Sequence, residues 1–327
     1  MRAAVGNEEH GLEVVDVPDP SPGAGELVLR VTACGICGSD LKLVKSASAG
    51  MVMGHEFCGT VVAVGSDAPG GWREGDAVTA LPAIGCGHCL ACLAGDPVRC
   101  ASVGLVGVGG PPGAYAEYVR VGARETLRLP DGLAPEAGAL VEPLAVGLHA
   151  VNRAGLFPGA RVLVLGAGPI GLAIVAWARL LGAGDVVASD LAAPRRDAAT
   201  RIGASSAVEP GDDALAGPFD VVFECVGAPG MLDACVAAVA HRGTVVVVGV
   251  CMQPDPFRPL LAVMKEVGMH FVVYYTRQEF EHTIDTLARG LIRSGDLVTS
   301  GITLDGIDRA FTELASAPEQ CKVIVTP

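Results

Sequence analysis

Residues 161–190 read RVLVLGAGPIGLAIVAWARLLGAGDVVASD. RVLVLG is a continuous Val/Leu run, the pattern of a strand covered on both faces. PIGLAIVAWARLLGA follows as a helix and DVVASD as the next strand. Between strand and helix lies GAGPIG (166–171), a match to G-x-G-x-x-G in the context that gives the motif meaning. Gly166 permits a tight turn, Gly168 lets the backbone approach a pyrophosphate, and Gly171 lets helix and strand pack closely. Pro169 and Ile170 open the helix, whose N-terminus attracts an anion. Asp190 ends the next strand, nineteen residues beyond Gly171. A carboxylate there hydrogen-bonds the adenosine ribose diol and repels a 2′-phosphate, so NAD is preferred over NADP. Arg195, near enough to stack on adenine, is the one residue that speaks against that preference. The competing reading is a glycine-rich turn in an α/β fold without a nucleotide; the strand–helix–strand–Asp context favours the dinucleotide.

Outward from this unit the alternation continues through FDVVFEC, PGMLDACVAAVA, GTVVVVGV, FRPLLAVMKEV and MHFVVYY, to about residue 274. That implies an α/β, doubly wound parallel sheet with helices on both faces. Residues 1–145 differ. LEVVDVP, ELVLRVTA, GTVVAVGS, DAVTALPA and AYAEYVRVGA are short β-branched segments separated by Gly, Pro and Asp. The last fifty residues carry a helix (EFEHTIDTLARGLI), a loop, a second helix (DGIDRAFTELAS) and a closing strand (CKVIVTP), expected to rejoin the N-terminal part. The expected division is therefore 1–145 with 275–327, against 146–274. A chain of 327 residues, half of them apolar, is long enough for two cores. Its net charge of −13 opposes binding to nucleic acid. MRAAVGNEEHGL lacks the apolar core of a secretory signal, and glycines and a proline break the most apolar stretch, so no membrane span is expected. A cytoplasmic protein with its eleven cysteines reduced is the consistent picture.

Four of those cysteines, Cys86, Cys89, Cys92 and Cys100, lie in CGHCLACLAGDPVRC (86–100). Structural disulfides are disfavoured in a reducing compartment. The last gap is too long for the bacterial iron–sulfur run, and a redox dithiol needs two cysteines. Four thiolates close a tetrahedral zinc with no open position, a structural site. The lobe (85–101) has few apolar residues, so metal binding should supply its stability. His88 is surplus and expected to face solvent.

Two further motifs are CGICGSD (34–40) and GHEFCG (54–59). Cys37, His55 and Glu56 form a set suited to a zinc that keeps a position open. Glu142, in ALVEPLAVGLHA at the domain junction, is a fourth candidate, since a carboxylate among apolar residues needs a partner or a metal. Asp40 could accept the spare N–H of His55, and Ser39 could pass a proton outward. Each has a bland alternative: a satisfied core histidine, a helix-capping acid, and small buried thiols at Cys34 and Cys58.

Taken together, CGICGSD, GHEFCG, the four-cysteine lobe, VEPLAVGLHA, GAGPIG with Asp190, and ECVGAP resemble the zinc-dependent medium-chain dehydrogenase/reductase family, across nearly the whole chain. The resemblance implies a GroES-like β-rich catalytic domain and a Rossmann domain. It implies Cys37 and His55 as catalytic zinc ligands, Glu56 and Glu142 as direct or exchanging ligands, and Ser39 as the proton-relay hydroxyl. It implies a structural zinc in the cysteine lobe, near a subunit contact. Val226, Val248 and Gly249 match backbone lining the nicotinamide. The implied activity is reversible hydride transfer between an alcohol or polyol and NAD, in a homodimer or homotetramer. Two departures stand out. Lys42 occupies a place where many relatives carry a relay histidine, and a lysine is a poor relay at neutral pH. The segment LVKSASAGMV is short, so its pocket wall does not transfer from relatives. Rival readings are a zinc-independent quinone or enone reductase on the same fold, which would lack the Cys–His–Glu set, and a non-enzymatic NAD-binding protein.

Overall fold

The computed structural model describes residues 1–316 and 320–327. The chain forms two compact units, one of Met1–Glu142, Thr276–Ala317 and Lys322–Pro327, the other of Pro143–Tyr275 and Pro318–Cys321.

The second unit is built on a six-stranded, wholly parallel sheet. Its spatial order is Ser206–Val208, Asp185–Ser189, Arg161–Leu165, Phe219–Glu224, Val239–Val247, Gly268–Phe271. The first three run backwards through the sequence and the last three forwards, so the order reverses between Arg161–Leu165 and Phe219–Glu224. Ligands of doubly wound sheets bind at the carboxyl ends of the strands flanking such a reversal. Val162, Leu163 and Val164 are all buried, as expected of a strand covered on both faces. The helix expected after GAGPIG runs Pro169–Leu180, and Trp177 on it is fully buried, its indole N–H donating to the Leu144 carbonyl at 2.8 Å. Leu163, Val187, Val222, Val245 and Cys235 share one core cluster.

The first unit carries a seven-stranded mixed sheet. In order it runs Val298–Thr303, Lys322–Thr326, Glu26–Gly35, Glu56–Val64, Ala77–Ala80, Thr126–Arg128, with Tyr118–Gly122 also paired to Glu26–Gly35. All pairs are antiparallel except Val298–Thr303 with Lys322–Thr326. Helices Arg277–Ala288 and Ile307–Ser316 belong to this unit with the closing strand. One segment read as loop is a strand: VTSGIT alternates half-buried and exposed positions and pairs along one side only. An edge strand needs only one neighbour and one half-covered face, so its apolar signal is weak. The register places the metal-motif residues. Gly35 pairs with both Glu56 and Ile324, and Cys34 with both Phe57 and Val325, so the ends of three strands meet where Cys37 and His55 leave the sheet. Beneath lies a core that includes Leu27, Leu29, Phe57, Tyr115, Val119 and Val323.

Candidate metal centres and cofactor turn

The sulfurs of Cys86, Cys89, Cys92 and Cys100 all lie within 4.8 Å of one another. Cys89 and Cys92 sulfurs are 3.5 Å apart, and those of Cys86 and Cys92 4.0 Å. Four thiolates about 2.3 Å from a tetrahedral zinc stand about 3.8 Å apart, so the lobe fits that ion. The Ser102 hydroxyl and the Cys86 N–H push the Cys100 thiol down to about 6, while burial and the neighbouring sulfurs push Cys92 up to about 12. That spread is what crowded thiols do when they share protons among themselves. His88 is exposed, one ring nitrogen 2.8 Å from the Cys86 carbonyl.

In the same unit Cys37, His55 and Glu56 bring one ligand atom each within 4.8 Å of the others. Cys37 follows the strand Glu26–Gly35, and His55 precedes Glu56–Val64, its antiparallel neighbour. Asp40, fully buried, begins the short helix Asp40–Leu43. Its Oδ1 faces His55 Nδ1 at 3.4 Å, and neither atom has another hydrogen-bond partner among the described residues. With Nδ1 turned to Asp40, Nε2 is the nitrogen left for a metal. Burial works against a charged imidazole here, but Asp40 and Cys37 outweigh it and hold His55 well above its ordinary range. The site therefore favours a cation, which suits zinc. The Ser39 hydroxyl donates to Cys37 Sγ at 3.2 Å. Lys42 is exposed on the same short helix.

Glu56 is fully buried, and the ammonium of Lys322, buried equally, donates to Oε1 at 2.7 Å, to Oε2, and to the Ile36 carbonyl at 3.0 Å. Sequence reasoning missed Lys322, although a lone charge in the apolar strand KVIVT was a signal. Glu142 is buried in the first turn of helix Val141–Ala154 and stands outside the convergent set among the described residues.

At the glycine motif, Gly166 has φ +94°, a left-handed conformation that L side chains rarely adopt. A Cβ on Gly171 would collide with the Gly166 carbonyl, whereas one on Gly168 would meet nothing within 4 Å. That open space lies at the N-terminus of Pro169–Leu180, the end of a helix that attracts an anion. Asp190 sits beside it. Its Oδ2 accepts the Ala167 N–H and its Oδ1 the Ala192 N–H, each at 2.9 Å, and Arg195 Nη1 lies 3.8 Å from Oδ2. Arg195 also reaches the Gln320 carbonyl at 3.5 Å. Val226 packs beside Gly166, where a Cβ would meet its Cγ2 at 3.0 Å. Glu224 organises this edge: its Oε1 accepts the Val226 and Gly227 N–H groups at 2.7 and 2.8 Å, and its carbonyl accepts those of Val248 and Gly249. An acid ending an apolar strand, as at Asp190, was the signal for Glu224.

Residues 23–131 match the model for the alcohol dehydrogenase GroES-like domain, and residues 169–289 that for the zinc-binding dehydrogenase domain. The sorbitol dehydrogenase of Bacillus subtilis is 31% identical over 345 residues, covering 100% of this chain and 97% of that protein. The chain belongs to the zinc-dependent medium-chain dehydrogenase/reductase family. It is a zinc-dependent, nicotinamide-linked oxidoreductase with the GroES-like and Rossmann folds of that family. Among solved structures, 2R,3R-butanediol dehydrogenase from Bacillus subtilis superposes with TM-score 0.88 at 30% identity, covering 100% of this chain and 99% of that one. A short chain alcohol dehydrogenase of Escherichia coli CFT073, complexed with NADH, gives TM-score 0.92 at 26% identity, with 100% and 99% covered.

Proposed function

We propose that this medium-chain dehydrogenase oxidises a secondary alcohol or polyol to a ketone, or a primary alcohol to an aldehyde, reversibly and with NAD. The observation that carries the reading is the convergence of Cys37, His55 and Glu56 with Asp40 behind the imidazole. It speaks against the zinc-independent reductase, which has no use for these ligands. When bound, zinc polarises the substrate oxygen as a Lewis acid and the nicotinamide accepts the hydride.

The chain's own residues do the rest. Cys37 and His55 hold the metal, and Asp40 orients His55. Glu56, engaged with Lys322, serves as an exchanging ligand, and Glu142 is its counterpart from the domain junction. Ser39 moves the carbinol proton outward, its hydroxyl turning from Cys37 Sγ to do so. Gly166, Gly168 and Gly171 with Pro169 and Ile170 seat the pyrophosphate, Asp190 holds the ribose diol, and Arg195 flanks the adenine. Val226, Val248 and Gly249, set by Glu224, line the nicotinamide side. Cys86, Cys89, Cys92 and Cys100 hold a structural zinc.

A homodimer or homotetramer is supported by the last strand of the parallel sheet, Gly268–Phe271, which has no outer neighbour among the described residues. Phe271 and Val273 there are exposed, as are Leu260, Val263 and Met264 on helix Pro259–Lys265. An open edge beside an apolar patch suits pairing with a second copy. A cytoplasmic location is supported by thiol chemistry: all eleven cysteines are free, and Cys37, Cys86, Cys89, Cys92 and Cys100 must stay reduced to hold metal. Separately, no helix among the described residues is long and apolar enough to cross a membrane.

The test is a panel of polyols, 3-hydroxy amino acids and simple alcohols with NAD on zinc-loaded protein, followed by NADH absorbance. Turnover with at least one class is expected. Cys37→Ser and His55→Ala should abolish it while NAD binding persists; an active, zinc-depleted His55→Ala enzyme would defeat the reading.

A further inference from the structure

Tyr115 has no part in the reading above, yet it is fully buried against the metal-motif loop. Its hydroxyl donates to Asp40 Oδ2 at 2.6 Å, with the Gly35 carbonyl 3.3 Å away. Asp40 Oδ2 also accepts the Cys37 N–H at 3.2 Å. Two donors on one oxygen fix the plane of the carboxylate and leave Oδ1 facing His55 Nδ1. The ring itself is held by other contacts. Ala114 and Tyr115 donate their N–H groups to the Gly54 and Met53 carbonyls at 2.9 and 3.0 Å, so the segment grips the residues just before His55. Gly54 has φ +99°, and a Cβ there would lie 2.8 Å from Tyr115 N and from ring atom Cδ1. The ring also meets Phe311 edge-on, centroids 5.9 Å apart. A phenylalanine would therefore fill the same space and lose only the hydroxyl's hydrogen bonds.

We propose that Tyr115 is a positioning residue for the catalytic zinc, acting through Asp40 to hold His55 with Nδ1–H engaged and Nε2 presented to the metal. The inference rests on the reading that Cys37 and His55 hold that metal. A ligating imidazole whose far N–H meets a fixed carboxylate is both oriented and made more basic. Without the phenol, Asp40 Oδ2 keeps one long donor in a pocket closed to water. The carboxylate is then free to turn, and His55 loses its restraint.

The test follows zinc release from loaded protein into a chromophoric chelator, with the four-cysteine centre as internal reference. Wild type should hold two zinc ions per chain and His55→Ala one. Tyr115→Phe should hold two, one of them leaving about 10- to 100-fold faster, the range for lost outer partners, and the other at the wild-type rate. Asp40→Asn should accelerate the same ion, and adding Tyr115→Phe to it should accelerate release little further, as expected of residues acting in one chain. Unchanged release in Tyr115→Phe would overturn the proposal, as would equal acceleration of both ions, or additive effects in the double variant. Two zinc ions retained by His55→Ala would instead defeat the metal-site reading on which the proposal rests.

Discussion

Burying Lys322 against Glu56 strips both groups of water, a loss that their attraction and the added bond to the Ile36 carbonyl must offset. Removing one partner is far worse than never having built the pair. Lys322→Met should lower stability by about 3–5 kcal/mol, because it leaves a buried carboxylate alone; denaturant melts of the metal-free protein would measure it. Asp190 is balanced differently. It accepts backbone N–H groups from the glycine turn and from Ala192, and it has Arg195 beside it. Asp190→Ala removes the negative charge and leaves Arg195 in place. The ratio of kcat/KM for NAD over NADP should fall at least tenfold; an unchanged ratio would remove Asp190 from the ribose role. Cys37, His55 and Asp190 stand out in the sequence because they sit in short motifs, and the structure brings Cys37 and His55 together and sets Asp190 beside the glycine turn. Tyr115 was not, because nothing in GAYAEYV distinguishes a core aromatic from one that bonds a carboxylate.

At the scale of elements, the cysteine lobe and the glycine turn depend on different forces. Helix Leu90–Leu93 in the lobe buries none of its residues, and Leu90 and Leu93 are exposed. With so little apolar burial, a zinc held by the four thiolates would supply the energy that folds this segment. Cys100→Ser should cost one zinc per chain and open the loop around residues 85–101 to limited proteolysis, with NAD affinity unchanged. The glycine turn is instead a matter of space. Gly171→Ala would force a methyl group against the Gly166 carbonyl and pry the helix from the strand. NAD binding should weaken by an order of magnitude or more in a titration, while both zinc ions remain. Strands buried on both faces were readable from their Val and Leu runs, as at Arg161–Leu165. The edge strand Val298–Thr303 was not, since one neighbour leaves a sequence little different from a loop.

Across the whole molecule, the exposed apolar surface at Gly268–Phe271 and helix Pro259–Lys265 is the feature that supports the proposed pairing of copies. Wild type should sediment as a dimer or larger, and the Phe271→Glu, Val263→Glu double variant as a monomer that still binds NAD. If the variant sediments as wild type does, the interface lies elsewhere.

The sequence alone determined the alternation of strand and helix, the glycine turn, the acid that ends the following strand and the four-cysteine lobe. Each is governed by neighbours along the chain: periodicity, turn conformation and ligand spacing operate within one short window. Tertiary structure alone decided that Lys322 meets Glu56 across 266 positions and Tyr115 meets Asp40 across 75. Those meetings depend on strand register, which aligns Gly35 with Glu56 on one side and Ile324 on the other. Register is chosen by the packing of the entire sheet, and no local segment contains it.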